Sequence, residues 1–264
     1  MEKRKHRDFW KNSFIGLTFI FLYLPIVVII VFSFNTSKLN ILFEGFTPHW
    51  YVSVFHNYQI MSALGNSLIV GSISTVLATV IGTLGAIGMD RYHFWGKQLL
   101  DKVLYIPIVI PEVVLGIALL SIYSLVGIPL SLFSLILAHV TFCIPFVVLT
   151  VRSRLLGIDK SLEEAALDLG AGPLTAFVKV TLPLLLPGLI SGAGFSFALS
   201  LDDVIISFFT TGPASTTFPL QVYAMVKTGI TPEIDAISTI MMIVLVLAVA
   251  LNALFQAKKL KREK

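Results

Sequence analysis

The sequence contains one cysteine, Cys143, so the chain can form no internal disulfide and cannot build a zinc cluster on thiolates. That lone thiol is read as a small apolar packing residue. Charge is also scarce: 13% of the residues are charged and 56% are hydrophobic, with a mean hydropathy of +0.90. Such a balance excludes disorder and weighs against a soluble globule. No Gly-x-x-x-x-Gly-Lys-Ser/Thr phosphate loop occurs, which excludes the chain as an ATPase in its own right. His6, His49, His56, His93 and His139 are scattered rather than set at ligand spacing, and no Ser/His/Asp order appears. The sequence therefore predicts neither a metal site nor a catalytic constellation. His139, inside an apolar run, is read as a hydrogen-bonded packing residue.

Long apolar runs are what the sequence has instead. About 20 apolar residues cross a ~30 Å hydrocarbon layer as a helix, and six runs reach that length. They cover residues 13–34, 63–89, 103–126, 130–151, 184–209 and 236–257, so the chain is expected to be a single all-α membrane domain over residues 1–264. The first run follows five bases, but it is too long for a signal-peptide core and lacks a small-residue cleavage site, so it is read as a retained helix. The third and fourth runs meet at Gly127-Ile128-Pro129, and Pro107 with Pro111 predicts a broken third helix. Gly82, Gly85 and Gly88, and then Gly188, Gly192 and Gly194, are expected where membrane helices approach closely.

The net charge of +4 is explained by topology. Seventeen of the 19 Lys and Arg fall in residues 1–12, 90–102, 152–183 and 258–264, on one side of the predicted spans, against Lys38 and Lys227 on the other. The positive-inside rule then places both termini in the cytoplasm, and no nucleic-acid partner is needed. The longest basic-side loop, residues 152–183, predicts a short amphipathic helix opened by a Ser161/Glu164 capping box and stopped at Gly170 and Gly172. A second short helix is expected from Leu174 to Val180, ending before Pro183.

Within the six runs lie three carboxylates, Glu112, Asp202 and Asp203, and no Lys or Arg. A charge at mid-span costs roughly 2.5–3.5 kcal/mol, so unpaired acids there must face protein, water or a cation. Taken together they call for a cationic solute. Adjacent helical residues point ~100° apart, so Asp202 and Asp203 face one cavity only if the helix loosens; otherwise one of them is a helix cap. For Glu112 the alternative is a buried protonated acid bonded to a carbonyl freed by Pro111. Trp50, Tyr51, Phe55 and Tyr58 read as an interfacial aromatic belt, with Trp50 singled out because an indole face attracts ammonium groups.

Glu164-Ala165-Ala166, three residues, Gly170, nine residues, Val180, one residue, Leu182-Pro183 resembles the EAA signature of permease subunits of bacterial ABC importers, with valine where isoleucine is usual. Leu24-Pro25-Ile26, the run Phe46 to Tyr51, the run His139 to Phe146, and Ser200 to Asp203 resemble the polyamine (spermidine and putrescine) permeases of that family. The resemblance implies the six-helix type I importer (MetI-like) permease fold in a bacterial inner membrane. It also implies a sister permease, two ATPase subunits that hold ATP and Mg, and an extracytoplasmic polyamine-binding protein; no cofactor is expected in this chain. Glu164, Ala165, Ala166 and Gly170 become the ATPase-coupling candidates, and Trp50, Glu112, Asp202 and Asp203 the candidates for substrate contact. Position 112 commonly carries aspartate in that group. The rival readings are a self-sufficient secondary cation transporter or channel, which leaves the coupling-loop spacing unexplained, an ABC permease for another cation, and a structural membrane scaffold.

Overall fold

A computed structural model describes residues 2–38, 41–229, 231–244 and 246–247, with side chains from residue 11 onward. The described residues fall into two compact units, Ser62–Gln221 and a second built from Met1–Met61 with Val222–Lys264. Apart from one isolated antiparallel bridge between Asn35 and Phe46, their regular structure is helical.

The second unit contains α1 (Glu2–Phe32), α2 (His49–His56), the start of α3 (Tyr58–Arg91), the end of α11 (Phe218–Thr228) and a helix over residues 232–244, here α12. From Ser13 onward α1 is apolar on every face, and most of its large side chains between Phe14 and Val31 stand exposed in this chain, as expected of a helix whose solvent is lipid. α2 is tied to α12 by Glu233, whose Oε1 accepts hydrogen bonds from Ser53 Oγ (3.1 Å) and Asn57 Nδ2 (3.2 Å).

The larger unit is built on α3, α4 (Lys97–Val109), α5 (Glu112–Val126), α6 (Leu132–Leu155), α7 (Ser161–Asp168), α8 (Pro173–Ala176), α9 (Leu182–Asp202) and α10 (Ile205–Thr210). α6 and α9 form its central pair, with Ala138, Phe142, Cys143, Val147, Val151 and Leu185 in the core. Small residues permit the approach. A Cβ on Gly188 would lie 2.7 Å from Arg154 Cβ, and one on Gly82 would lie 2.9 Å from Val147. Gly88 and Gly194, expected in the same role, have nothing within 4 Å of such a Cβ. Cys143 is buried, and its Sγ lies 3.5 Å from the Ser196 carbonyl that it donates to.

Among the described residues four helices are long and apolar enough to cross a bilayer: Lys11–Phe32, Tyr58–Arg91, Leu132–Leu155 and Pro173–Asp202. α4 and α5 make a fifth candidate, bent by 115° between Val109 and Glu112. The break lies at Ile110-Pro111 because a residue before proline is driven out of the helical region; Ile110 is extended at φ −73°, ψ 138°. Pro107, which shared the expected break, lies inside α4. Of the sixth predicted span, residues 236–244 are helical, while residue 245 and residues 248–257, like the basic run 258–264, lie outside the described residues.

Candidate solute path and coupling loop

The fifth predicted span is interrupted at the two aspartates. α9 ends at Asp202, Asp203 is extended (φ −69°, ψ 126°), and α10 starts at Ile205. The chain is thus loosened where two adjacent acids could not share a face. Their fates differ. Asp202 is exposed. Asp203 is buried and caps α10: Oδ1 accepts from Ile206 N–H (3.1 Å), and Oδ2 accepts from Ser207 N–H and Ser207 Oγ–H, both at 2.7 Å. Behind it stands His139 of α6, with Nε2 3.5 Å from Asp203 Oδ2 and both side chains nearly sealed from solvent. Of the two roles open to this pair from sequence, Asp203 takes the cap.

Glu112 is the first residue of α5, directly after the Pro111 break, where unpaired helical N–H groups favour a carboxylate. It is exposed rather than buried against a freed carbonyl. α5 packs on α10, with Gly116 so close to the Phe209 ring that a Cβ there would lie 2.6 Å from it. Glu112 and Asp202 are thus two exposed carboxylates on one unit. Neither is in an ion pair among the described residues.

Trp50 belongs to the other unit. It is half-buried on α2, and its Nε1–H donates to the Asn35 carbonyl at 2.7 Å, so anything it offers a solute must come from the ring. Tyr51 is a packing residue, its ring tilted 37° against Phe34 (5.0 Å between centroids) and its hydroxyl 2.7 Å from Ser33 Oγ. Phe55 and Tyr58 are exposed, as a belt requires.

In the loop between α6 and α9, α7 carries Glu164, Ala165 and Ala166, with Glu164 and Ala165 exposed. Its start differs from expectation. Ser161 is the first helical residue rather than the cap, and its N–H is satisfied by Asp159 Oδ1 at 2.9 Å, so the Ser161/Glu164 capping box does not form. Its end agrees. Gly170 takes φ +88°, its N–H reaches the Leu167 carbonyl (2.9 Å) and Ala171 N–H reaches the Ala166 carbonyl (3.0 Å), a Schellman closure that needs a left-handed residue. The second short helix does not stop before Pro183. From Pro173 the helix continues through a π-helical turn, Phe177–Thr181, into α9. There Leu182 N–H bonds to the Phe177 carbonyl, and the wider turn makes room for the following Pro183, which has no N–H to donate.

Side chains missed from sequence bind this loop to α3. Arg91, the last residue of α3, pairs with Glu163 and lies 5.5 Å over the Phe177 ring, and Glu163 also accepts from Thr181 Oγ1. Burial pushes the Glu163 carboxyl up, but Thr181 and then Arg91 outweigh it and hold the group below its ordinary value. Lys160 lies 3.9 Å from Asp90. These groups, with Leu155, Leu162, Leu167 and Val180, line a cavity of about 330 Å³. Periodicity gives no hint of such contacts, because Arg91 and Glu163 are 72 residues apart.

The family profile for "binding-protein-dependent transport system inner membrane component" matches residues 78–262. The spermidine/putrescine transport system permease protein PotC of Haemophilus influenzae is 40% identical over 252 residues, covering 96% of this chain and 98% of the relative. Its Escherichia coli K12 counterpart is 41% identical over 251 residues, 95% of each. The putrescine transport system permease protein PotI of the same strain is 37% identical over 243 residues, covering 89% of this chain and 86% of PotI. Among solved structures, a bacterial ABC transporter involved in import of the acidic polysaccharide alginate superposes with a TM-score of 0.73 at 15% identity, over 97% of both chains. The MetNI methionine ABC transporter superposes at 0.58 and 18%, over 78% of this chain and 95% of that one. At such identities these two show a common fold and carry nothing about the solute.

Proposed function

Because the chain belongs to the family of binding-protein-dependent transport system inner membrane components, we propose that it is the permease subunit of an ATP-driven polyamine importer. The observation that carries this reading is the identity of about 40% to spermidine/putrescine permeases along almost the whole chain. The site chemistry agrees. Glu112 and Asp202 are exposed and in no ion pair among the described residues, and an ammonium group supplies the partner that each would otherwise lack there.

In this reading both termini are cytoplasmic and the path is completed by a sister permease. An extracytoplasmic binding protein delivers the amine on the side of Trp50, whose ring attracts the cation. Two ATPase subunits hold ATP and Mg and dock on α7, where Glu164 and Ala165 are exposed and Gly170 ends the helix. Their closure pushes α7. Through the Arg91–Glu163–Thr181 contacts the push reaches α3 and the helix that runs from Pro173 to Asp202, so Asp202 stands at the far end of the element being driven.

The test is uptake of labelled spermidine and putrescine into vesicles holding the full complex. ATP-dependent accumulation that also needs the binding protein is expected. Equal uptake by this chain alone without ATP would overturn the reading in favour of a secondary transporter or channel.

A further inference from the structure

We infer that His139, Ser207 and Asp203 form a buried polar latch that sets how Asp202 is presented to the solute, which makes His139 and Asp203 positioning residues rather than contacts. This deepens the reading of Asp202 as a path residue and rests on it.

The proton count fixes the latch's wiring. Ser207 has one hydroxyl proton, and its Oγ is 2.7 Å from Asp203 Oδ2, where a carboxylate can only accept. Ser207 Oγ, 3.1 Å from His139 Nε2, must then accept from that nitrogen. With the imidazole neutral, His139 Nδ1 is left as an acceptor, and the Ser200 hydroxyl donates to it at 2.7 Å. The result is one directed chain, Ser200 to His139 to Ser207 to Asp203, running from α9 through α6 and back to α10. Each member is buried.

α10 needs such support because it has six residues, far fewer than the roughly 12–15 that a helix requires to hold itself. α6, with 24 residues, is the rigid partner. It grips α10 a second time where Ser134 Oγ donates to the Thr210 carbonyl at 2.9 Å. Between these grips and the end of α9, the extended Asp203 leaves its neighbour Asp202 at an exposed corner whose direction follows from the latch.

The experiment uses the whole reconstituted complex in two arms. In the first, Asp202→Cys is introduced with Cys143→Ala, and its labelling by a cationic, water-soluble thiol reagent is timed; no polyamine is needed. His139→Leu removes the latch's central member, while His139→Gln retains an N–H where Nε2 was. His139→Leu is expected to change the labelling rate about fivefold or more, with His139→Gln within about twofold of the parent. In the second arm His139→Leu raises the KM for spermidine about tenfold with little change in maximal rate, and His139→Gln restores it. Because the latch acts through Asp202, the double variant D202N/H139L is expected to match D202N within about twofold. If His139→Leu prevents assembly, Ser207→Ala, which deletes only the bridging hydroxyl, carries the same expectations. Unaltered labelling and KM, or losses that simply multiply in the double variant, would overturn the latch. Altered labelling in a complex that transports no polyamine would leave the latch standing and remove the import reading instead.

Discussion

A carboxylate in hydrocarbon costs roughly 2.5–3.5 kcal/mol unless something answers its charge, and the three acids of the predicted spans receive different answers. Asp203 is answered inside the chain by two backbone N–H groups and a serine hydroxyl. Asp202 and Glu112 are exposed and in no ion pair among the described residues, so the cation reading rests on these two. At the proposed coupling loop the residue to test is Gly170. A side chain at φ +88° is disfavoured by roughly 1–2 kcal/mol, so Gly170→Ala is expected to loosen the end of α7 and lower the number of amines imported per ATP hydrolysed, while the complex still assembles. An unchanged ratio would count against α7 as the coupling element. Gly170, Glu112 and the Asp202/Asp203 conflict were all legible in sequence, because each breaks a local rule: a glycine ending an amphipathic pattern, a charge in an apolar run, two acids on diverging faces. His139 was legible only as a bonded packing residue. Its partners come from α9 and α10, 61 and 68 residues away, and no local pattern announces them.

Among the elements, the α5–α10 contact and the α7–α3 knot give opposite kinds of test. Gly116→Val places atoms where Phe209 already is, and overpacking of this kind costs about 1–3 kcal/mol, so a melting point lower by several degrees is expected in detergent. Gly194→Ala, with nothing within 4 Å, is expected to leave it unchanged. Equal melting points for the two would contradict the packing described. At the knot, Arg91→Glu is expected to lose coupled uptake, and the exchange R91E/E163R to regain part of it. The recovery is partial because the Thr181 contact is not restored and a part-exposed pair is worth only about 1 kcal/mol. The Glu163 carboxyl is held below its ordinary value, so the stability it lends the loop is complete above about pH 4.5 and is lost as pH falls through the lower, folded value. The protection factors of the α7 amides, taken against the intrinsic exchange rate at each pH, should accordingly stay constant down to that range and fall below it; a fall near neutrality would contradict the assignment. The running of the helix from Pro173 to Asp202 was hidden in sequence because Pro183 reads as a boundary, whereas a π-helical turn absorbs it.

For the whole molecule, hydropathy alone made the class plain, since runs of this length have few other uses. Counting spans from it was less secure. Proline and aspartate split two of the predicted runs into pairs of helices, and those splits are where Glu112 and Asp202 are exposed. The breaks that spoil the count are therefore also the features that expose these acids, as the proposed path requires of irregular backbone at membrane depth. The account stands on those two carboxylates serving a positive solute. Its most direct measurement is the initial rate of ATP-driven spermidine uptake by a normally assembled complex carrying E112Q/D202N. Loss of two charge-assisted contacts at ~1.5–3 kcal/mol each predicts a rate at subsaturating spermidine at least about tenfold below the parent; a rate equal to the parent would contradict it.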